Sequence, residues 1–288
     1  MKVVGGSASV PLARVIAREL GATYVDVAFE KHPGGFPDGE RYVRLLGPVA
    51  GDHIILVQTT HPDPKAVELL LLADAIRDAG GRRITAVVPY FGYGRQDKRF
   101  LDGEAVSAKT LAKHIAVDCD ELLTATIHNP DILSMFPIRT REVSGIPALA
   151  RYLRSADVDM LLAPDDNAIR HVKEAASIAG KPFDHLDKER IDSYTVTMTH
   201  KELAVKGKSV AIVDDVISTG GTIAQAAKEL KGQGARRVVA ACVHGLFVGK
   251  AVDNLRACDE VIATDTVGSP YTKVSVAPEF AAAIRALG

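Results

Sequence analysis

Residues 209–245 read SVAIVDDVISTGGTIAQAAKELKGQGARRVVAACVHG. SVAIVDD and VVAACVHG are short, β-branched apolar runs. TIAQAAKELKGQG between them is rich in helix formers and has an apolar stripe. Strand, helix, strand is the unit of a parallel sheet, whose strands are buried on both faces and read as near-continuous apolar runs. The same rhythm occurs earlier, in HIILVQ (53–58), KAVELLLLADAIRDAG (65–80) and ITAVVPY (84–90).

The likeness between the halves extends to identities. AGGRRITAVVP (79–89) matches QGARRVVAACV (233–243), an offset of 154 between the Arg-Arg pairs. CDELLTAT from Cys119 matches CDEVIATD from Cys258 at an offset of 139, and VVGGSASVPLARVIARELG (3–21) echoes LLAPDDNAIRHVKEAASIAG (161–180). Three matches in one order imply a duplicated domain. The offsets differ by 15, so the first copy carries an insertion, within PYFGYGRQDKRFLDGEAVSAK. Loops added to a rigid scaffold are where function concentrates. The expected organisation is two α/β domains, 1–142 and 143–288, each a mostly parallel sheet flanked by helices. APEFAAAIRALG is expected as a closing helix.

The 288 residues are 47% hydrophobic and 25% charged, with a net charge of -1, so no global basic field points to nucleic acid. The three cysteines form no CxxC pair, which argues against a disulfide framework or zinc cluster and suits a reducing compartment. No apolar run reaches the ~20 residues needed to span a bilayer, and the start lacks a signal-peptide layout. A cytoplasmic protein is expected, with no membrane or nucleic-acid partner.

Function concentrates where SVAIVDD meets STGGT. Asp214 and Asp215 stand at the expected end of a buried strand, where adjacent carboxylates repel and cost desolvation. Ser218, Thr219, Gly220, Gly221 and Thr222 lead into a helix. N–H groups at a helix start are unpaired and favour an anion, and glycine lets the backbone approach it. This is a phosphate cradle without the Gly-Lys-Ser/Thr of a Walker A loop. The carboxylates suit a donor-rich neutral group such as a ribose diol, so a 5-phosphoribosyl unit fits both parts. At offset 154 the first half has Thr60-His61 in place of the carboxylates and PKAVE (64–68) in place of the cradle. Only the second half is therefore expected to hold the sugar phosphate.

Read alone, the other motifs are less specific. RQDKR gathers Arg95, Lys98 and Arg99 behind Tyr90, Phe91 and Tyr93. Its cations suit a polyphosphate, and Gln96 and Asp97 could read a base edge. FPDGE (36–40) is a turn, His128 in TATIHNPD is a lone histidine, and LDKERIDSY (186–194) is a charged loop.

Together, VDDVISTGGT, FPDGE, YFGYGRQDKR, His128, the PD at 164–165 and KER (188–190) resemble ribose-phosphate diphosphokinases, phosphoribosyl-diphosphate synthases of the type I phosphoribosyltransferase-like superfamily. The resemblance covers nearly the whole chain. It implies two phosphoribosyltransferase-like domains and transfer of a diphosphoryl group from magnesium ATP to D-ribose 5-phosphate, giving AMP. It assigns ATP to Arg95, Gln96 and Asp97 and to Phe36, Asp38, Gly39 and Glu40, the last four serving a neighbouring subunit, so a homo-oligomer is implied. It assigns Mg2+ to His128 and Asp165, the sugar phosphate to Asp214, Asp215 and Ser218–Thr222 with Arg190, and catalysis to Lys188 and Arg190. The chain departs from the commoner text around the metal, with TIH before the histidine position and Asp166-Asn167-Ala168 after Asp165. A plain phosphoribosyltransferase would share the cradle but leave the first half's cationic loop without a task. A non-catalytic regulatory relative would be expected to have lost KER or the cradle, and both are present.

Overall fold

The computed structural model describes residues 1–31, 36–186, 188–190, 196–198 and 203–287, with backbone alone at 188–190 and 196–198. It divides into two compact units, Met1–Ser144 with Val276–Gly288, and Gly145–Ser275.

The first unit contains β1 (Lys2–Gly5), α1 (Val10–Leu20), β2 (Thr23–Val25), β3 (Val27–Ala28), β4 (Arg44–Leu45), β5 (His53–Val57), α2 (Asp63–Asp78), β6 (Arg83–Val88), α3 (Ser107–Asp118), β7 (Glu121–Ala125), a 3-10 turn over Pro130–Met135 and β8 (Arg139–Val143). The second contains α4 (Ile146–Ser155), β9 (Met160–Ala163), α5 (Ile169–Ala179), β10 (Phe183–His185), β11 (Lys188–Arg190), β12 (Val196–Met198), β13 (Ser209–Ile217), α6 (Gly221–Gly232), β14 (Arg237–Gly245), α7 (Ala251–Leu255), β15 (Glu260–Thr264) and β16 (Thr272–Val274). The closing helix α8 (Ala277–Arg285) belongs to the first unit, where it packs on α1 and Arg285 donates to the carbonyl of Glu19.

Each unit carries a six-stranded sheet, in the orders β2-β1-β5-β6-β7-β8 and β10-β9-β13-β14-β15-β16, and every pair in both is parallel. The orders are the same element for element, so the duplication read from the sequence is a duplication of fold. Both sheets are mostly parallel and flanked by helices, as expected. β5 and β9 are buried at every position, as parallel strands covered on both faces must be.

The repeated Arg-Arg and CDE motifs are staples at the amino ends of the strands. Asp120 accepts from the backbone N–H of Ile84 at 2.7 Å, and Asp259 does the same for Val238 at 2.7 Å. Glu121 pairs with Arg83, and Glu260 with Arg237. These motifs persist in both copies because they hold the sheet together, at the end opposite to any ligand.

The extra length of the first copy goes into the segment between β6 and α3 and into α3 itself, which has 12 residues against the 5 of α7. A second difference was hidden by the sequence match. The helices keep the offset of 154, since the buried Leu69, Leu72, Ala73 and Ile76 of α2 correspond to Ile223, Ala226, Ala227 and Leu230 of α6. The strands do not. His53 pairs with Arg83 where Ser209 pairs with Arg237, and Leu56 with Val4 where Ile212 pairs with Leu162, an offset of 156. Gln58 and Thr59, not Thr60 and His61, therefore stand where Asp214 and Asp215 stand. The first copy uses its two extra residues, and a shorter loop, to start α2 a turn earlier.

Candidate active site

Asp214 and Asp215 lie within β13 rather than at its end, because Val216 and Ile217 continue the strand against His244 and Gly245 of the long β14. Regular strand alternation would send consecutive side chains to opposite faces, yet here the two carboxyl groups lie close enough to interact. Each carboxylate is steadied by the next backbone N–H: Asp215 N–H donates to Asp214 at 2.9 Å and Val216 N–H to Asp215 at 2.8 Å. Burial first, then the negative charge of Asp215 and that of Asp165, push the Asp214 carboxyl well above the usual carboxylate range. Asp165, just beyond β9, is thus brought into the field of the pair, and its side chain also accepts from Ala168 N–H. A site that gathers three carboxyl groups favours a ligand that brings donors or a cation.

The cradle follows at once. Gly220, at φ 74°, is the residue before α6, and a Cβ there would lie 3.3 Å from Leu255. Left-handed backbone and a close neighbour together require glycine. A Cβ on Gly221 would meet only the Thr219 hydroxyl, at 4.0 Å, so the space in front of the helix start is open. No side chain caps α6. The carbonyls of Ser218 and Thr219 are drawn away by Val248 N–H at 3.0 Å and Asn254 Nδ2 at 2.8 Å. A trans peptide points its N–H opposite to its C=O, so the N–H groups that follow those carbonyls face the other way. The result is a set of donors at the positive end of a 12-residue helix, beside a carboxylate pair.

In the first unit the loop that carries Arg95, Gln96 and Asp97 is anchored on several sides. Gly92 N–H donates to the Thr60 hydroxyl at 2.7 Å, and a Cβ on Gly92 would lie 2.8 Å from the Thr60 carbonyl oxygen. Gln96 accepts from Ser107 Oγ at 3.0 Å, and Asp97 accepts from Asn129 Nδ2 at 2.5 Å. Asn129 follows His128, so the structure brings Gln96 and Asp97 alongside the turn that carries the histidine. Arg95 and His128 are exposed. The FPDGE segment is a turn, with Gly39 N–H donating to the Phe36 carbonyl, Glu40 N–H to Asp38, and the Phe36 ring edge-on to Tyr42 at 6.0 Å. Among the described residues no hydrogen bond joins it to the Arg95 loop.

The KER segment, expected as a loop, has strand backbone: β11 pairs antiparallel with β12. The side chains of Lys188 and Arg190 lie outside the described residues. Sequence reasoning missed Thr60, Ser107, Asn129 and Asn254, which shape the two loops from a distance. Only Asn129 carried a local sign, an Asn before Pro-Asp, which reads as a cap.

The family models agree with this architecture. Residues 1–117 match the N-terminal domain of ribose phosphate pyrophosphokinase, and residues 144–272 match the phosphoribosyl transferase domain. A ribose-phosphate pyrophosphokinase of Methanopyrus kandleri is 39% identical over 293 residues, covering 100% of this chain and 99% of its own. The chain belongs to the ribose-phosphate pyrophosphokinase family. Its relative from Pyrococcus furiosus is 41% identical over 85% of this chain and 88% of its own length. The crystal structure of the phosphoribosylpyrophosphate synthetase from Mycobacterium smegmatis superposes with a TM-score of 0.82 at 29% identity, covering 99% of this chain and 98% of that one. Among the described residues, no helix is long and apolar enough to cross a membrane.

Proposed function

We propose that this pyrophosphokinase-family chain transfers the diphosphoryl group of ATP to the 1-hydroxyl of D-ribose 5-phosphate, giving 5-phosphoribosyl 1-diphosphate and AMP. One observation carries the sugar-phosphate half of this reading: of the two equivalent strand ends, only β13 sets a carboxylate pair beside an uncapped glycine-rich helix start. The 5-phosphate takes the N–H and hydroxyl donors of Ser218–Thr222. The sugar diol donates to Asp214 and Asp215, replacing part of the solvation that burial takes from Asp214.

ATP is held by Arg95, Gln96 and Asp97, with Phe36, Asp38, Gly39 and Glu40 serving a neighbouring subunit of a homo-oligomer. The sugar 1-oxygen attacks the β-phosphorus, the bond from that phosphorus to the α,β-bridging oxygen breaks, and AMP leaves. Such transfers depend on positioning and on neutralising charge, the task assigned to Lys188 and Arg190, with Arg190 also at the sugar phosphate.

A hard divalent cation takes oxygen ligands, and carboxylates are the residue type that supplies them. Among the described residues no cluster of three ligands is ready-made. Asp165 and His128 are the assigned holders of Mg2+, which would neutralise polyphosphate charge. The enzyme would work in the cytoplasm.

Product analysis tests the reading. Protein, ribose 5-phosphate, ATP and magnesium should yield AMP. ADP with ribose 1,5-bisphosphate would make the chain an ordinary kinase. Lys188→Ala should lower kcat with little change in either KM, as expected of a contact made only in the transition state. A normal kcat with a raised KM for ATP would withdraw the catalytic role.

A further inference from the structure

The turn after β7 does more than carry His128. Asn129 caps the 3-10 turn over Pro130–Met135, its Oδ1 accepting from Asp131 N–H at 3.0 Å. That bond fixes which end of the amide is which. Nδ2 is left to donate, and it does so to Asp97 Oδ2 at 2.5 Å. Asn129 and Asp97 are 32 residues apart in sequence and both half-buried. A cap needs only the acceptor, so the donor half of the amide has a separate task. Gln96, beside Asp97, is held by Ser107, and the root of the loop by Thr60. The Asn129 bond joins this loop to the turn bearing His128. Among the described residues it is the only hydrogen bond made by the Asp97 side chain.

We propose that Asn129 is a positioning residue: it clamps Asp97 of the nucleotide loop to the His128 turn and sets the direction in which Asp97 presents its second oxygen to ATP. This rests on the ATP assignment made under Proposed function. A cap alone predicts that aspartate serves as well as asparagine, since both accept from Asp131 N–H. The clamp predicts the opposite, because a carboxylate at 129 would face the carboxylate of Asp97.

The test uses Asn129→Asp, Asn129→Ala and the exchange Asp97→Asn with Asn129→Asp, each checked for an unchanged melting temperature. Calorimetric binding of ATP is read alongside steady-state kinetics with both substrates varied. A hydrogen bond to a charged group is worth enough for about a tenfold or greater change in affinity. Asn129→Ala and Asn129→Asp should both weaken ATP by that order, Asn129→Asp more, with KM for ribose 5-phosphate nearly unchanged. The double variant restores a donor facing an acceptor and should recover much of the loss. Asn129→Asp with wild-type ATP affinity would overturn the clamp, as would a double variant no better than Asn129→Asp. Failure of the functional reading looks different: wild-type protein would bind ATP and form no AMP, and calorimetry would still judge the clamp. If wild-type protein bound no ATP, the loop would not be a nucleotide loop and the clamp would fall with it.

Discussion

At the carboxyl end of β5 the chain runs Gln58-Thr59-Thr60 into Pro62-Asp63-Pro64. At the equivalent end of β13 it runs Asp214-Asp215 into Ser218–Thr222. The first region has closed on itself. Glu68 of α2, only 2% exposed, accepts from Ser7 N–H at 2.6 Å, Ser7 Oγ at 2.8 Å and Gln58 Nε2 at 2.9 Å, and Lys65 reaches both Ser7 and Glu68. Glu68 corresponds to Thr222 along the helix. An internal carboxylate thus sits where the other copy keeps a small hydroxyl beside open space. Two prolines remove N–H groups from the start of α2, and Asp63 adds a negative charge there. The donors an anion would need are consumed or absent. The first copy keeps the scaffold and uses its strand end to root the loop beginning at Gly92. The second tolerates a strained carboxylate pair and an uncapped helix. Under the proposed reading, stability was kept in one copy and binding in the other.

The largest expected effect comes from making the second site resemble the first. Thr222→Glu places a carboxylate at the mouth of the cradle. Like charges brought together at a binding site cost several kcal/mol, so kcat/KM for ribose 5-phosphate should fall by about a hundredfold or more. ATP binding should be little changed. If sugar kinetics survived, the phosphate would not lie on α6 and the comparison would break.

Next in size is the carboxylate pair. Asp214→Ala or Asp215→Ala should raise KM for ribose 5-phosphate by roughly tenfold or more in at least one case, from loss of a charged acceptor worth about 1.5–3 kcal/mol. The pH dependence sharpens this. The folded-state pKa of Asp214 is raised, so the native protein binds this proton more tightly than the unfolded chain. The contribution is fully present below the ordinary carboxylate pKa and is lost as pH rises through the higher folded value. Asp214→Asn removes that loss and should raise the melting temperature of the ligand-free protein near neutrality while weakening sugar use. A melting temperature that falls at neutral pH, and shows the wild-type pH slope, would mean the pair is not under strain.

Much of this was legible in the sequence because it rests on local patterns. Apolar runs such as HIILV and SVAIV give buried parallel strands, and the glycine run before α6 gives an anion-ready helix start. What escaped reading depends on relative placement. The match of the Arg-Arg pairs gives an offset of 154, but a strand can slide two residues against its helix without altering that match, so it points to Thr60 and His61 rather than Gln58 and Thr59. The amphipathic face of α8 shows that it packs, not on which unit, and it packs on α1. Asn129 and Asp97 meet only because β6 and β7 are neighbours in the sheet. The KER strand pairing depends on β12, whose Val-Thr-Met holds β formers but at three residues is too short to read as a strand.

The smallest effect on activity, and the most telling about the closed copy, belongs to Glu68. In Glu68→Gln the amide oxygen can still accept from Ser7 N–H and Gln58, but its NH2 then faces the Lys65 ammonium, donor against donor, and the Ser7 hydroxyl loses its acceptor and must turn to accept instead. A buried polar group left without a proper partner costs about 1–3 kcal/mol. In a domain of this size each kcal/mol lowers the melting temperature by about 2–4 °C. Thermal unfolding should therefore show a clear loss. Activity should barely move, because nothing in the first copy's strand end touches the sugar phosphate under the proposed reading. Removing the carboxylate's charge should not reopen an anion site either, since Pro62 and Pro64 supply no N–H and Asp63 remains. Calorimetry with ribose 5-phosphate should count one site per chain in both wild type and variant. A second site appearing in Glu68→Gln would show that Glu68 alone keeps the first copy shut. A second site already present in wild type would mean that the two strand ends never diverged in what they bind.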